Sequence, residues 1–230
     1  MHFLEGLKGG FPIGLGYFAV SFSFGIAGSK FLNCFFVTLI SMANLTSAGQ
    51  FAGLKIMEAC GTFFEMALAT FFINLRYSLM AVSLSQKVDS NFNFIKRILL
   101  SIGITDEIYA LAMNYKTRIS ASYFLGLTVL PYVGWTSGTF SGALCGEILP
   151  AFLTNALGVA LYGMFIAIVV PEMKTKRPVF IAVFIAMAIS SLFYFVPCFQ
   201  RISVGFAIIL SSVIASFICA FLFPETKEHR

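Results

Sequence analysis

Histidine is almost missing from this chain, and its position decides more than its number. The two that occur, His2 and His229, stand at the ends of the sequence, so no long apolar stretch contains one. Histidine-based acid–base catalysis and histidine metal ligation are thereby set aside for the interior of the protein. Charge is scarce as well: 11% of the residues are Asp, Glu, Lys or Arg, against about 25% in an ordinary soluble domain. The formal charge of +5 carries no nucleic-acid signal, because the basic residues sit at the ends of apolar runs rather than in one dense patch. The tightest group is Lys174-Thr-Lys176-Arg177. Five cysteines (Cys34, Cys60, Cys145, Cys198 and Cys219) are widely spaced and form no Cys-x-x-Cys pair. That leaves no zinc or redox motif, and buried thiols acting as small hydrophobes are the expectation. Neither a metal site nor a cofactor is expected.

What fills the chain instead is hydrocarbon. Hydrophobic residues make up 59%, phenylalanine alone occurs 28 times, and the mean hydropathy is +0.91. A membrane span takes about 20 apolar residues, so the length leaves room for about six to eight spans and little else. The fold class is an all-α integral membrane protein, a polytopic helical bundle forming a single transmembrane domain over residues 1–230. Residues 1–28 resemble a signal peptide in having Lys8 before an apolar run. They lack a small-x-small cleavage site, and no soluble domain follows, so they read as a retained first span.

Clean spans are expected at Gly10–Gly28, Thr62–Ser85, Ser122–Gly146, Phe152–Val170 (ended by Pro171), Pro178–Val196 (ended by Pro197) and Ile202–Phe223. In the first, Gly14, Ser21, Gly25 and Gly28 make one small face for close helix contact. Gly134, Gly138, Gly142 and Gly146 recur at strict four-residue spacing, a helix-packing stripe on which a second helix can approach backbone to backbone. Thr62–Ser85 holds two ionisable residues, Glu65 and Arg76. Eleven residues at 100° each bring them within roughly 20° of the same face, about 16 Å apart along the axis.

Two segments are too polar to be plain spans. The first is Ser41-Met-Ala-Asn-Leu-Thr-Ser-Ala-Gly-Gln-Phe-Ala-Gly53, lying between apolar runs. A bilayer core offers no water to Asn44, Thr46, Ser47 and Gln50, so these groups must face protein or a water-filled cavity. Ser47 followed by Gln50 matches the capping-box spacing that starts a helix. The segment therefore reads as a helix that stops near Asn44 and restarts near Ser47, presenting free N–H groups and a positive dipole end to an anion. The other reading is a packing helix whose polar groups bond to neighbouring helices. The second segment is Arg97–Tyr115, interrupted by Gly103-Ile-Thr105-Asp106-Glu107. Paired interrupted segments are the sequence pointer to a transporter site.

The positive-inside rule separates two topologies. If every segment crosses, Lys87, Lys96, Arg97, Lys174, Lys176 and Arg177 fall on the side opposite Lys8. If the two polar segments are re-entrant, all of these join Lys8, Lys116, Arg118 and the charged tail on the inner side, and only Lys30, Lys55 and Arg201 stay outside. The second arrangement fits far better: about six full spans plus two broken or re-entrant segments.

Four stretches in this order resemble the azaleucine-resistance (AzlC-like) family, the large subunits of branched-chain amino acid exporters. They are Ser47-Ala-Gly-Gln-Phe-Ala52, Ile73-Asn-Leu-Arg-Tyr-Ser-Leu79, Thr105-Asp-Glu-Ile-Tyr-Ala-Leu-Ala112 and Gly134-Trp-x-x-Gly-Thr-x-x-Gly142. Gly49 stands where the family has a serine before the glutamine, and Tyr77 where it has a histidine after the arginine. The resemblance implies a transporter domain in a bacterial plasma membrane that works with a small hydrophobic second subunit (AzlD-like). It implies export of leucine, isoleucine, valine and sometimes methionine, driven by protons.

On this reading the substrate-binding candidates are Asn44, Thr46, Ser47, Gln50, Asn74, Arg76 and Thr105. The helix start near Ser47 takes the carboxylate, with Arg76 as an alternative anion partner because guanidinium matches carboxylate geometry. Asp106 and Glu107 hold the ammonium or carry the coupled proton, and Glu65 is a further proton-coupling candidate. Ionisable groups inside spans cost about 2.5–3.5 kcal/mol each on the insertion scale, which argues against packing as their sole role. The alternative for Arg76 and Asp106 is a structural ion pair. A channel subunit suits the same residues. An intramembrane serine protease built on Gly134-Trp-Thr-Ser137-Gly138 does not, because no span supplies a histidine base; no enzyme activity is expected.

Overall fold

The computed structural model describes residues 2–89, 92–146, 152, 166, 169–199 and 202–223. Beside a helical stretch at residues 169–175, nine α-helices of the described residues organise the molecule: α1 (His2–Ser29), α2 (Cys34–Ala43), α3 (Ser47–Glu58), α4 (Phe63–Ser85), α5 (Phe94–Ser101), α6 (Asp106–Asn114), α7 (Ala121–Cys145), α8 (Arg177–Phe195) and α9 (Val204–Leu222). Among the described residues the only β-type pairing is a single bridge between Val88 and Ile119. Most helix starts are written locally. Asn33, Thr62, Asn93 and Ser120 accept the backbone N–H three residues on, at 3.0 to 3.2 Å, which satisfies one of the orphan donors of each helix start.

Helices α1, α4, α8 and α9 are long and apolar enough to cross a membrane. Helix α7 has 25 residues, about 37 Å at 1.5 Å per residue, and its glycines face α1. The expected span Phe152–Val170 lies largely outside the described residues. Pro171 does not end it: residues 169–175 are helical straight through the proline. Pro12 in α1 and Pro131 in α7 are likewise inside helices, a placement that neighbouring helices and local adjustments make tolerable in membrane proteins.

Helices α1 and α7 run parallel and in backbone contact. A methyl group at Gly6 would overlap the Tyr123 carbonyl, one at Gly134 the Gly14 carbonyl, one at Gly142 the Phe22 carbonyl, and one at Gly25 the Thr139 carbonyl. Both glycine stripes therefore face each other. Van der Waals contact between backbones replaces the hydrophobic drive that lipid removes.

Helix α4 runs the opposite way. Its last turn reaches the starts of α1 and α7: Leu84 packs in one cluster with Ile119, Tyr123 and Phe124, Lys87 Nζ donates to the Tyr115 carbonyl at 2.6 Å, and Tyr115 Oη donates to Glu5 at 2.8 Å. This end of the molecule is called lower below. With α1 rising and α4 descending, the chain between them must enter and leave from the upper end.

It does so as a hairpin of half-helices. Helix α2 starts at the upper end, where Val37 packs against Gly28. It stops at mid-height, where Tyr132 Oη donates to the Met42 carbonyl at 3.0 Å. Helix α3 then climbs back until Leu54 joins Phe24, Val37 and Ala143 in an upper cluster. The 10 and 12 residues of these legs give about 15 and 18 Å, half the roughly 30 Å of a bilayer core. Helices α5 and α6 form the counterpart from the lower end. Gly103 at their tip lies against Thr128, and α6 descends past Ser83, which accepts from Tyr109 Oη at 2.9 Å.

The re-entrant topology is therefore the one adopted. The C-terminal hairpin agrees with it. Glu65, near the upper end of α4, accepts the Gly205 N–H that opens α9 at 2.7 Å, and Cys219 near the end of α9 lies by the Pro178 carbonyl at the start of α8. Lys176 and Arg177 thus share the lower end with Lys8, Lys87, Lys96, Arg97, Lys116 and Arg118, whereas Lys30 and Lys55 are upper.

Candidate functional site

The tips of the two hairpins meet beside the middle of α4, at Asn74-Leu-Arg76-Tyr77. From the upper hairpin, the Thr46 hydroxyl donates to Asn74 Oδ1 at 2.9 Å and accepts from Tyr77 Oη at 3.4 Å. From the lower hairpin, Asp106 Oδ2 lies 2.7 Å from Arg76 Nη1. Arg76 also donates through Nη2 to Tyr77 Oη at 3.3 Å, with its guanidinium carbon 4.9 Å from the Tyr77 ring centre. One polar chain thus joins Asp106, Arg76, Tyr77, Thr46 and Asn74. Both half-helices that begin here, α3 and α6, aim their positive N-terminal ends at it.

The cap of α3 is Thr46, not Ser47. Thr46 has extended backbone and its Oγ1 accepts from Gly49 N at 3.4 Å. Ser47 is the first helical residue, and the expected capping box fails because Gln50 points elsewhere. Gln50 is 4% exposed. Its Nε2 donates to Ser41 Oγ at 2.9 Å and its Oε1 accepts from Trp135 Nε1 at 3.1 Å. Ser41 in turn lies 2.7 Å from Thr139 Oγ1. A buried amide with two good partners ties the broken helix to α7 more firmly than a local cap bond would, since each unmade buried bond costs about 1–3 kcal/mol. Asn44 ends α2 as its C-cap in extended conformation.

The start of α6 is open by comparison. Thr105 occupies its N-cap position without a side-chain cap bond. The residue is 3% exposed, and its hydroxyl oxygen has no hydrogen-bond partner among the described residues. Glu107, one residue after Asp106, accepts from Tyr17 Oη at 2.5 Å. The Tyr17 ring meets the Trp135 ring edge-on at 5.4 Å, which closes a second connection between the tips: Glu107, Tyr17, Trp135, Gln50.

Asn74, Arg76, Thr105, Asp106 and Glu107 therefore gather with Thr46 at one point, with Ser47 at the adjacent helix start. Glu65 does not join them. It is 4% exposed and caps α9 near the upper end, so sharing a helix with Arg76 brings the two no common partner. Tyr17, Tyr77, Ser41 and Thr139 belong to the network without having been singled out in the sequence. Tyr17 lies one turn from the small face of α1, and Tyr77, like Gly49, departs from the family pattern, but neither tyrosine's position announces which neighbour it will meet.

The AzlC protein family model matches residues 12–149, which contain every residue of this centre, and the chain belongs to that family. An uncharacterized membrane protein of Archaeoglobus fulgidus is 28% identical over 178 residues, covering 76% of this chain and 78% of its own. Inner membrane protein YgaZ of Escherichia coli K12 is 27% identical over 187 residues, covering 76% and 75%. No solved structure matches the chain.

Proposed function

We propose that this member of the AzlC family is the large subunit of a two-component transporter that exports branched-chain amino acids in exchange for protons. The observation that carries the proposal is the Arg76–Asp106 pair between two half-helix N-termini. A free amino acid is a zwitterion, and a preformed pair of opposite charges is its complement: the carboxylate meets Arg76 and the helix ends, the ammonium meets Asp106. Both side chains are 45% exposed, and at mid-depth an open charged pair is tolerated only beside water, which supports an aqueous approach to this point.

Proton coupling follows from the same geometry. The ammonium needs Asp106 ionised, so a proton on that carboxyl and the substrate's ammonium compete for one place. Such competition is what exchange requires, because the carrier returns with either ligand but not with both. Glu107, bonded to Tyr17, is the second carboxyl of the site. The protein performs no covalent chemistry on this reading. A small hydrophobic second subunit completes it, and the basic lower end faces the cytoplasm of a cell with this chain in its plasma membrane.

The test is efflux of radiolabelled leucine from vesicles carrying both subunits under an imposed pH gradient. Flux that follows the pH gradient and is competed by valine and isoleucine supports the exporter. Flux that follows membrane potential alone, without competition among amino acids, would make the chain a channel.

A further inference from the structure

Outside this centre the lower end holds a second feature, a cavity of about 310 Å³ behind α5. Ala81 and Leu84 of α4, Phe92, Ile98 and Leu100 around α5, and Phe124 of α7 form its walls, with Arg97 on its rim. Helix α5 has no buried residue: Ile95 and Leu99 point outward, 64% and 62% exposed, while Phe94 lines the cavity at its edge. It stands off the bundle with this space behind it. We infer that the cavity is a binding site for an acyl chain of an anionic phospholipid, whose phosphate is held by Arg97.

Three observations converge on that occupant. The walls are apolar apart from Ser85 and Ser101, whose hydroxyls donate to the Val82 and Ile98 carbonyls of their own helices, so water lacks the two to four polar partners it needs to stay, and an empty space leaves every wall without its dispersion contacts. An unbranched hydrocarbon chain is what the surrounding bilayer offers to such a slot. The charged side chain that lines the cavity, Arg97, is a cation. Arg97 is exposed, its Nε donates to the Phe92 carbonyl at 3.2 Å, and that bond fixes the direction of the guanidinium, a fork suited to phosphate oxygens. Lys96 is its neighbour in sequence, on the end of the molecule that gathers basic residues, whereas the Lys87 ammonium is taken up by the Met113 and Tyr115 carbonyls. Such clusters attract anionic headgroups over zwitterionic ones.

The site has a mechanical consequence. Helix α5 is the outer leg of the hairpin whose inner leg carries Asp106 and Glu107. A chain filling the cavity supports that leg, so lipid headgroup chemistry is communicated to the tip through the position of α5.

The experiment is native mass spectrometry of the purified full chain, titrated with phosphatidylglycerol, phosphatidylcholine or glycerol phosphate. Phosphatidylglycerol is expected to bind at roughly tenfold lower concentration than phosphatidylcholine, and glycerol phosphate, which has no acyl chain, not at all. Arg97→Gln should bring the two lipids together, and Ala81→Phe, which fills the cavity, should weaken both. Ser101→Leu reads the same cavity where Ala81→Phe fails to give a monodisperse protein. Equal binding of the two lipids to the unaltered chain, an unchanged preference in Arg97→Gln, or unchanged retention in a filled cavity would each overturn the assignment. Binding of glycerol phosphate alone would replace the lipid with a soluble phosphate ligand.

Discussion

Arg76 Nη1 and Asp106 Oδ2 lie 2.7 Å apart, although one belongs to the middle of an unbroken span and the other to the first turn of a half-helix entering from the lower end. Neither residue finds a counter-ion within its own element. The pair exists because the α5–α6 hairpin stops at mid-depth, beside the turn of α4 that also receives Thr46.

Asp106→Asn keeps the size of the side chain and an acceptor oxygen but removes the charge. A hydrogen bond to a charged group contributes about 1.5–3 kcal/mol, so leucine affinity should weaken roughly tenfold to 100-fold. Coupling to the pH gradient should vanish while the protein still inserts. Arg76→Lys retains charge without the planar fork and should weaken binding but preserve coupling. Full gradient-driven efflux in Asp106→Asn would leave the pair a structural one.

Trp135→Phe leaves Gln50 Oε1 without its donor, and Gln50→Leu strands Trp135 Nε1 while Ser41 keeps Thr139. Each should cost about 1–3 kcal/mol of stability, measured by unfolding in detergent. Because the two remove one shared interaction, the double variant should cost less than the sum of the singles. Strict additivity would mean that the bond contributes nothing.

The glycine stripe offers a controlled comparison. Gly142→Ala pushes a methyl into the Phe22 carbonyl of α1 and should destabilise by about 1–3 kcal/mol, the usual cost of overpacking. Gly16 and Gly53 have nothing within 4 Å of an added methyl. Alanine at either should be neutral or stabilising by about 0.5–1 kcal/mol, from helix propensity alone. Equal melting temperatures for all three would deny the close approach of α1 and α7.

Re-entrance is open to direct labelling. Lys87→Cys and Lys116→Cys should react with a membrane-impermeant thiol reagent from one side of the membrane. Cys60, which is exposed at the upper end of α3, should react from the other. Lys30→Cys should react from the Cys60 side as well; labelling of Lys30→Cys from the Lys87 side would mean that the first polar segment crosses.

Glu65→Gln retains an acceptor for the Gly205 N–H and should fold as the parent does. Glu65→Leu removes the cap of α9 and should cost about 0.5–2 kcal/mol. The flux of the glutamine variant then decides the role of the carboxylate: undiminished gradient-driven efflux leaves Glu65 a cap, and loss of coupling with unchanged stability gives it the proton.

Membrane residence, the two interruptions and the small faces were legible because each is a local property. Hydrocarbon length reports a span. Polar groups inside such a length report a break, and four-residue glycine spacing reports a stripe. The fine placement of the caps was less legible. Thr46 and Ser47 are adjacent and chemically alike, and only the direction of Gln50 separates them, which Trp135, 85 residues away, decides.

By itself, then, the sequence determined an all-helical membrane bundle, its breaks, and through the distribution of lysine and arginine which of the described basic segments share one end of the molecule. Those follow from transfer free energies and charge, which act residue by residue. Tertiary structure decided the rest: that α1 meets α7, that the half-helix tips stop at the same turn of α4, that Glu65 serves α9 rather than Arg76, and that Tyr17 reaches Glu107. Contacts between segments far apart in sequence depend on the depth at which each hairpin turns and the height at which each helix crosses its neighbour. Neither quantity is written in any one segment.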